Sequence, residues 1–313
     1  MSIAWKTKRF IWRIRKYLDN HTKIRIGHKK YNGKPILGIR ECNNEIISLM
    51  ESGKPFAVGR LGDMELRAIV SCQPENKSKE EKNRCFDYLS LLAGFFGDIN
   101  DFDKFSRLME DKIHSVDLMG VWFNKMEDWI LKKYGDDNLK YGLLEGLEPW
   151  YTPDNPWSKA LKGRKVLCIH PFAESIERQY KYRKELFKGS DIRPEFELIC
   201  LKAVQTIGNE KDDRFSTWFE ALDYMYKEAM KTDFDIALIA CGAYGLPLAA
   251  MIKEGGRQAV HMGGAMQLLF GIKGKRWDDF GPLNGFYNEY WKYPDEAEKP
   301  EGIEKIVEGG CYW

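Results

Sequence analysis

Phe56-Ala57-Val58-Gly59-Arg60-Leu61-Gly62-Asp63-Met64-Glu65 decides how this chain is read. Four apolar or small residues run into a glycine-bearing turn, and two acids then open a helical stretch. A short apolar run bounded by glycine is the mark of a buried strand, and an acid after the turn suits a helix start. Five further β-rich runs occur at 116–122, 165–170, 196–201, 235–240 and 258–262. Between them lie helical patterns at 41–52, 80–96, 103–114, 125–134, 175–187, 215–231 and 246–254. Strands alternating with helices predict an α/β fold with a mostly parallel sheet.

In such a sheet ligands bind where strands end, so the residues after each strand are the candidates. Asp63 and Glu65 sit two apart at a strand-to-helix handover. They suit a hard divalent cation that is also held by substrate phosphates, or one of them a general-base role. The ordinary structural alternative is that Asp63 caps the helix and Glu65 favours its positive end. Arg60 could neutralise a phosphate or orient a carboxylate, and Gly62 lets the backbone turn. After the run 165–170 come His170 and Glu174, candidates for acceptor-binding or base roles or else a buried histidine and a helix cap. Gly242-Ala243-Tyr244-Gly245 follows the run 235–240, and His261-Met262-Gly263-Gly264 closes the run 258–262. The backbone N–H groups of the first turn predict an anion site fit for a diphosphate, and the paired glycines of the second permit close approach of a ligand. Neither turn has the G-x-G-x-x-G spacing of a dinucleotide site. Lys273, Lys275 and Arg276 form a compact cationic cluster that reads as phosphate-binding or as a solvated loop. Trp150, Tyr151 and Trp157 could stack on sugar faces, although packing is the commoner role for such residues.

The segment 56–65 resembles the R-x-G-D-x-E signature of GT-D-type glycosyltransferases, bacterial enzymes that build surface glycans from nucleotide sugars. Met64 stands where that pattern usually has glycine. The segments 166–183, 237–256 and 261–277 are similar to later blocks of the same family. The resemblance implies a Rossmann-like, GT-D-type sheet flanked by helices. It also implies a nucleotide-sugar-dependent hexosyltransferase, with Asp63 and Glu65 serving the metal (Mn2+ or Mg2+) and the nucleotide diphosphate. The implied partners are a UDP-sugar and a glycan or lipid-linked glycan acceptor. Two other readings stay open: a phospho- or pyruvyl-type transferase of surface-glycan assembly, and a non-catalytic membrane-associated assembly partner.

The whole-chain figures bound these readings. The chain has 313 residues, 43% hydrophobic and 31% charged, with 28 Gly and 12 Pro. That excludes wholesale disorder, collagen-like repeats and a polytopic membrane protein. A net charge of +2 provides no global field for gathering nucleic acid. Seven cysteines without C-x-x-C spacing argue against a zinc or redox site and fit a reducing, cytoplasmic setting. Charge is uneven at one place only: ten of the first thirty residues are Lys or Arg, against Asp19 alone. On a helical wheel Ile3, Phe10, Ile11, Ile14, Tyr17 and Leu18 share a face. Residues 1–18 therefore read as a helix lying on an anionic membrane surface, or as one docked on the protein's own core. The expected organisation is a basic arm at 1–35, a catalytic α/β domain at 36–280 with halves near 36–150 and 160–280, and an aromatic tail at 281–313. The Pro- and Trp-rich stretch 148–162 is the expected connection between the halves.

Overall fold

The parallel sheet follows from strands that are apolar on both faces. In the strand Lys165–His170, Val166 and Cys168 point into one buried cluster and Leu167 and Ile169 into another. A period of two with no polar side requires cover on both faces. The computed structural model describes Thr7 and residues 30–313, apart from 209, 279, 280, 284 and 308. Its strands are β1 (Lys30–Tyr31), β2 (Lys34–Leu37), β3 (Phe56–Arg60), β4 (Leu118–Val121), β5 (Lys140–Leu143), β6 (Lys165–His170), β7 (Glu197–Lys202), β8 (Ile236–Ile239) and β9 (Gln258–His261). They form one sheet in the order β1-β2-β5-β4-β3-β9-β8-β6-β7. Every pairing is parallel except the β1–β2 hairpin.

The helices are α1 (Ile39–Glu51), α2 (Asp63–Cys72), α3 (Lys79–Ala93), α4 (Ile99–His114), α5 (Glu127–Tyr134), α6 (Ala173–Tyr180), α7 (Arg183–Leu186), α8 (Trp218–Lys231), α9 (Gly245–Glu254) and α10 (Met266–Leu269). α2 to α5, α8 and α9 cover one face of the sheet. α1, α6, α7, α10 and the C-terminal tail cover the other. This is the α/β architecture that the strand–helix alternation predicts.

The differences have local causes. The expected helix 175–187 is two helices, because Gln179 is tied to the carbonyls of Gly271 and Tyr290 and Tyr180 is tied to Phe196. Tertiary bonds there override helical periodicity. Strands β1, β2 and β5 were not expected. The sheet thus begins at Lys30, inside the stretch read as the arm. The expected membrane-binding helix over 1–18 lies outside the described residues apart from Thr7. Among the described residues, no helix is long and apolar enough to cross a membrane. All seven cysteines are free.

The stretch 148–162 carries the chain from β5 to β6 through short turns. Trp150 and Trp157 are buried there, and the Trp157 indole donates to the Leu147 carbonyl at 3.0 Å. Both tryptophans pack rather than face a ligand. The tail buries Trp291, Ile303, Val307, Cys311 and Trp313 against the body.

The chain leaves β3 toward β4 on one side of the sheet and leaves β6 toward β7 on the other. Between these diverging connections the carboxyl ends of β3, β9, β8 and β6 stand side by side. That is where an open α/β sheet has room for a ligand.

Candidate functional site

A cavity of about 450 Å³ opens over those strand ends, within the size range of small-molecule sites. Arg60, Gly62, Asp63 and Glu65 from the β3–α2 corner line it. So do His170 after β6, Gly242 and Tyr244 after β8, and His261, Gly263 and Gly264 after β9. Residues from four strand ends thus meet in one space.

Arg60 ends β3 and its guanidinium lies 4.0 Å over the Trp122 ring. Burial lowers its pKa, and neighbouring Tyr312, Glu65 and Glu148 raise it. No carboxylate among the described residues pairs with it within ion-pair distance. Gly263 faces it with a φ of +65°, and a Cβ at that position would lie 2.8 Å from Arg60 Cζ. Glycine is needed there both for the left-handed backbone and for the guanidinium.

The two acids differ. Asp63 pairs with Arg67 one turn on, at 2.8 Å, on the partly exposed rim. Glu65 folds back over the start of its own helix, where a Cβ at Gly62 would lie 2.0 Å from its carboxylate. Burial raises the Glu65 pKa, while its own main-chain N–H and Arg60 lower it. Glu65 therefore meets the positive end of its helix as foreseen, whereas Asp63 does not cap it: Gly62 is the N-cap, no side chain caps the helix, and Asp63 turns to Arg67 instead. Both acids line the cavity. Among the described residues no cluster of three or more His, Cys, Asp or Glu could hold a metal ion. The donor set fits a hard cation only if phosphate oxygens and water complete the shell, as hard cations with few protein ligands require.

The two cavity histidines are neutral. Burial pushes the His170 pKa down to about 3. Its Nδ1 accepts from the Phe172 N–H at 2.9 Å, so the ring proton resides on Nε2. The expected base role for His170 is not met, because its one lone pair is already used; it can only donate. His261 is also driven to about 3, by burial and then by Arg60. Its Nδ1 lies 3.2 Å from the Ile239 carbonyl, which makes Nδ1 the donor and leaves Nε2 an acceptor.

Other expected residues lie elsewhere. Glu174 is exposed and pairs with Lys202 at 3.0 Å, outside the cavity. Ala243 and Gly245 are buried and do not line it. A Cβ at 245 would lie 2.1 Å from His261 Cε1, so this glycine makes room for a ring rather than for an anion. Lys273 lies 5.2 Å over the Tyr287 ring, and Lys275 donates to the Gly309 carbonyl at 3.2 Å. Neither faces the cavity; of the cationic cluster only Arg276 does.

The site also includes Trp122 and Asn124 after β4, and Tyr312 and Trp313 from the tail. The loop after β4 holds Phe123 and Met126 at positive φ, of 58° and 72°. Such backbone persists only where its surroundings enforce it. Buried Glu127 does so, accepting from the N–H groups of Trp122 and Asn124 at 3.2 Å and from the Tyr31 hydroxyl at 3.0 Å. Burial raises its pKa to about 7. An acid in the first turn of α5 reads in sequence as a surface residue, so its anchoring role carried no signal. The positive-φ loop carried none either.

No family model matches this chain. No curated protein matches it. Among solved structures it is similar to a selenomethionine-substituted structure of domain of unknown function 1792, at 13% identity and a TM-score of 0.45. It is similar also to a structure of that domain described as highly conserved and as having a distinct glycosyltransferase fold, at 14% identity and a TM-score of 0.45. Each likeness covers 89% of this chain and 96% of the other.

Proposed function

We propose that this protein is a glycosyltransferase that moves a sugar from a nucleoside diphosphate to a hydroxyl of a surface-glycan acceptor. One observation carries the reading: a guanidinium with no ion-pair partner among the described residues, two carboxylates and the β9 glycine turn face one cavity at the carboxyl ends of parallel strands. Cation, carboxylate pair and open backbone together match a sugar diphosphate better than they match an uncharged ligand. The R-x-G-D-x-E resemblance supports the same reading.

In this scheme the anomeric carbon exchanges its bond to the diphosphate oxygen for a bond to the acceptor oxygen, the acceptor hydroxyl proton passes to solvent, and negative charge gathers on the leaving diphosphate. Arg60 is placed to neutralise it, in a site that excludes much of the solvent. Asp63 and Glu65 would hold a divalent cation together with the phosphate oxygens. Such a cation supplies charge stabilisation for the leaving group. His170 would donate from Nε2 to a ligand oxygen. The acceptor enters from the open side, as a glycan or lipid-linked glycan.

Calorimetric titration of UDP, with and without manganese, tests the reading. UDP should bind, and manganese should tighten binding tenfold or more. Failure to bind UDP in either condition, with binding of phosphoenolpyruvate or a polyprenyl phosphate instead, would replace it with a pyruvyl- or phosphotransferase.

A further inference from the structure

The tail brings a second set of polar groups to the Arg60 side of the cavity. Tyr312 accepts a hydrogen bond on its hydroxyl from Arg276 Nη1 at 3.1 Å. The charge of Arg60 acts on the same phenol: both guanidiniums lower a pKa that burial raises. Conversely Tyr312 is the strongest influence raising Arg60, while Arg276 lowers it. Both guanidiniums and the phenol line the cavity, so an anion bound there can meet all three.

The geometry is also held in place. Gln267 donates to the Tyr312 carbonyl at 3.0 Å, and the Arg276 N–H donates to the Cys311 carbonyl at 3.0 Å. The Tyr312 ring packs over Gly264, where a Cβ would lie 2.3 Å from Cε1. A side-chain bond from Gln267 and a main-chain bond from Arg276 thus lock the end of the tail to the segment after β9. The phenol is a built part of the wall rather than a loose end.

We propose that Arg60, Tyr312 and Arg276 form a diphosphate clamp, in which Arg60 and Arg276 take the two phosphates and the Tyr312 hydroxyl donates to an oxygen between them. This rests on the nucleotide reading above and adds to it the tail and the second guanidinium. Guanidinium forks suit phosphate oxygens. The clamp acts on the phosphates themselves, so part of the affinity persists without a divalent cation.

The test is calorimetry of UDP and of inorganic pyrophosphate, in EDTA and in manganese, on the full chain and three variants. Tyr312→Phe keeps the ring over Gly264 and removes only the hydroxyl. Arg276→Gln removes the charge, and Arg276→Lys keeps the charge without the fork. The wild type should bind both ligands in EDTA. Tyr312→Phe should weaken binding about 5-fold and Arg276→Gln ten-fold or more, in either condition, with Arg276→Lys between. Unchanged affinity in Tyr312→Phe and Arg276→Gln overturns the clamp, as does wild-type protein that binds neither ligand in EDTA. Binding of pyrophosphate but not UDP, lost in the same variants, supports the clamp and removes the nucleotide reading.

Discussion

Arg60 and Trp122 are stacked, with the guanidinium 4.0 Å from the ring centroid. Arg60 ends β3 and Trp122 directly follows the neighbouring parallel strand β4, so the sheet register sets this contact: Arg60 pairs with Gly120, two residues before Trp122. A guanidinium held over a ring face has N–H donors in its own plane, which it can still direct at an anion. A desolvated cation–π contact is worth about 2 kcal/mol, or roughly 30-fold in affinity. Trp122→Leu should weaken UDP binding by about that factor, and Trp122→Phe by less. Calorimetry on folded variants checks the order. Equal affinities for all three proteins would mean that the ring does not position Arg60.

Asp63 separates a ligand role from a structural one. Its ion pair with Arg67 is on the rim and half exposed. Such a pair contributes about 0.3–0.5 kcal/mol. Asp63→Ala should therefore leave the melting temperature almost unchanged while abolishing the gain in UDP affinity on adding manganese. Thermal denaturation and metal titration on the same sample decide it. A large drop in melting temperature, with the manganese effect retained, would make Asp63 a helix-start residue and nothing more.

The buried histidines give stability a pH dependence with a fixed sign. The His170 pKa falls from 6.5 in the unfolded chain to about 3 when folded. Between those values the unfolded chain binds the extra proton, so stability is present above pH 6.5 and is lost as pH falls toward 3. Glu127 and Glu148 act oppositely. Burial raises both from 4.5 to about 7, so their contribution is lost as pH rises through that window. The wild-type profile mixes these slopes, and a variant isolates one. Between pH 7.5 and 5, His170→Gln should lose about 2 kcal/mol less than the wild type. Urea denaturation at the two pH values measures it. Parallel losses in both proteins would show that His170 titrates normally in the fold.

How far the residues alone reveal this molecule depends on where the deciding contacts lie along the chain. β6 and β8 are legible because each carries a continuous apolar run, 166–169 and 236–239, the pattern that double-sided burial demands. β2 and β5 are not: Pro35 and Gly142 interrupt runs of only four residues. A Cβ at 142 would lie 2.4 Å from Cys42 Sγ, a packing reason for glycine that no local pattern discloses. The same holds in the site. Arg60, Asp63 and Glu65 are neighbours in sequence and can be read together. Tyr312 and Trp122 reach Arg60 through sheet order and tail path. The cationic cluster shows the limit most sharply, since one loop sends Arg276 to the cavity and turns Lys273 and Lys275 away from it.

The tail's attachment leads to the last prediction. Buried Glu298 accepts from the N–H groups of Glu174 and Ser175, both at 3.1 Å, and from the Ser175 hydroxyl. Its own carbonyl accepts from the Trp313 indole at 3.2 Å. One residue thus satisfies the open start of α6 and fixes the aromatic wall of the cavity. A carboxylate at that position also meets the positive end of the helix. Glu298→Ala leaves two buried donors without partners, at a cost of about 2–3 kcal/mol. It also releases the end of the tail from α6. Glu298→Gln keeps the shape and should lose less than half as much. Limited proteolysis should then cut the 281–313 region of Glu298→Ala faster than that of the wild type, with UDP slowing the cleavage. Unchanged stability and cleavage in Glu298→Ala would show that the tail is held by its apolar contacts alone.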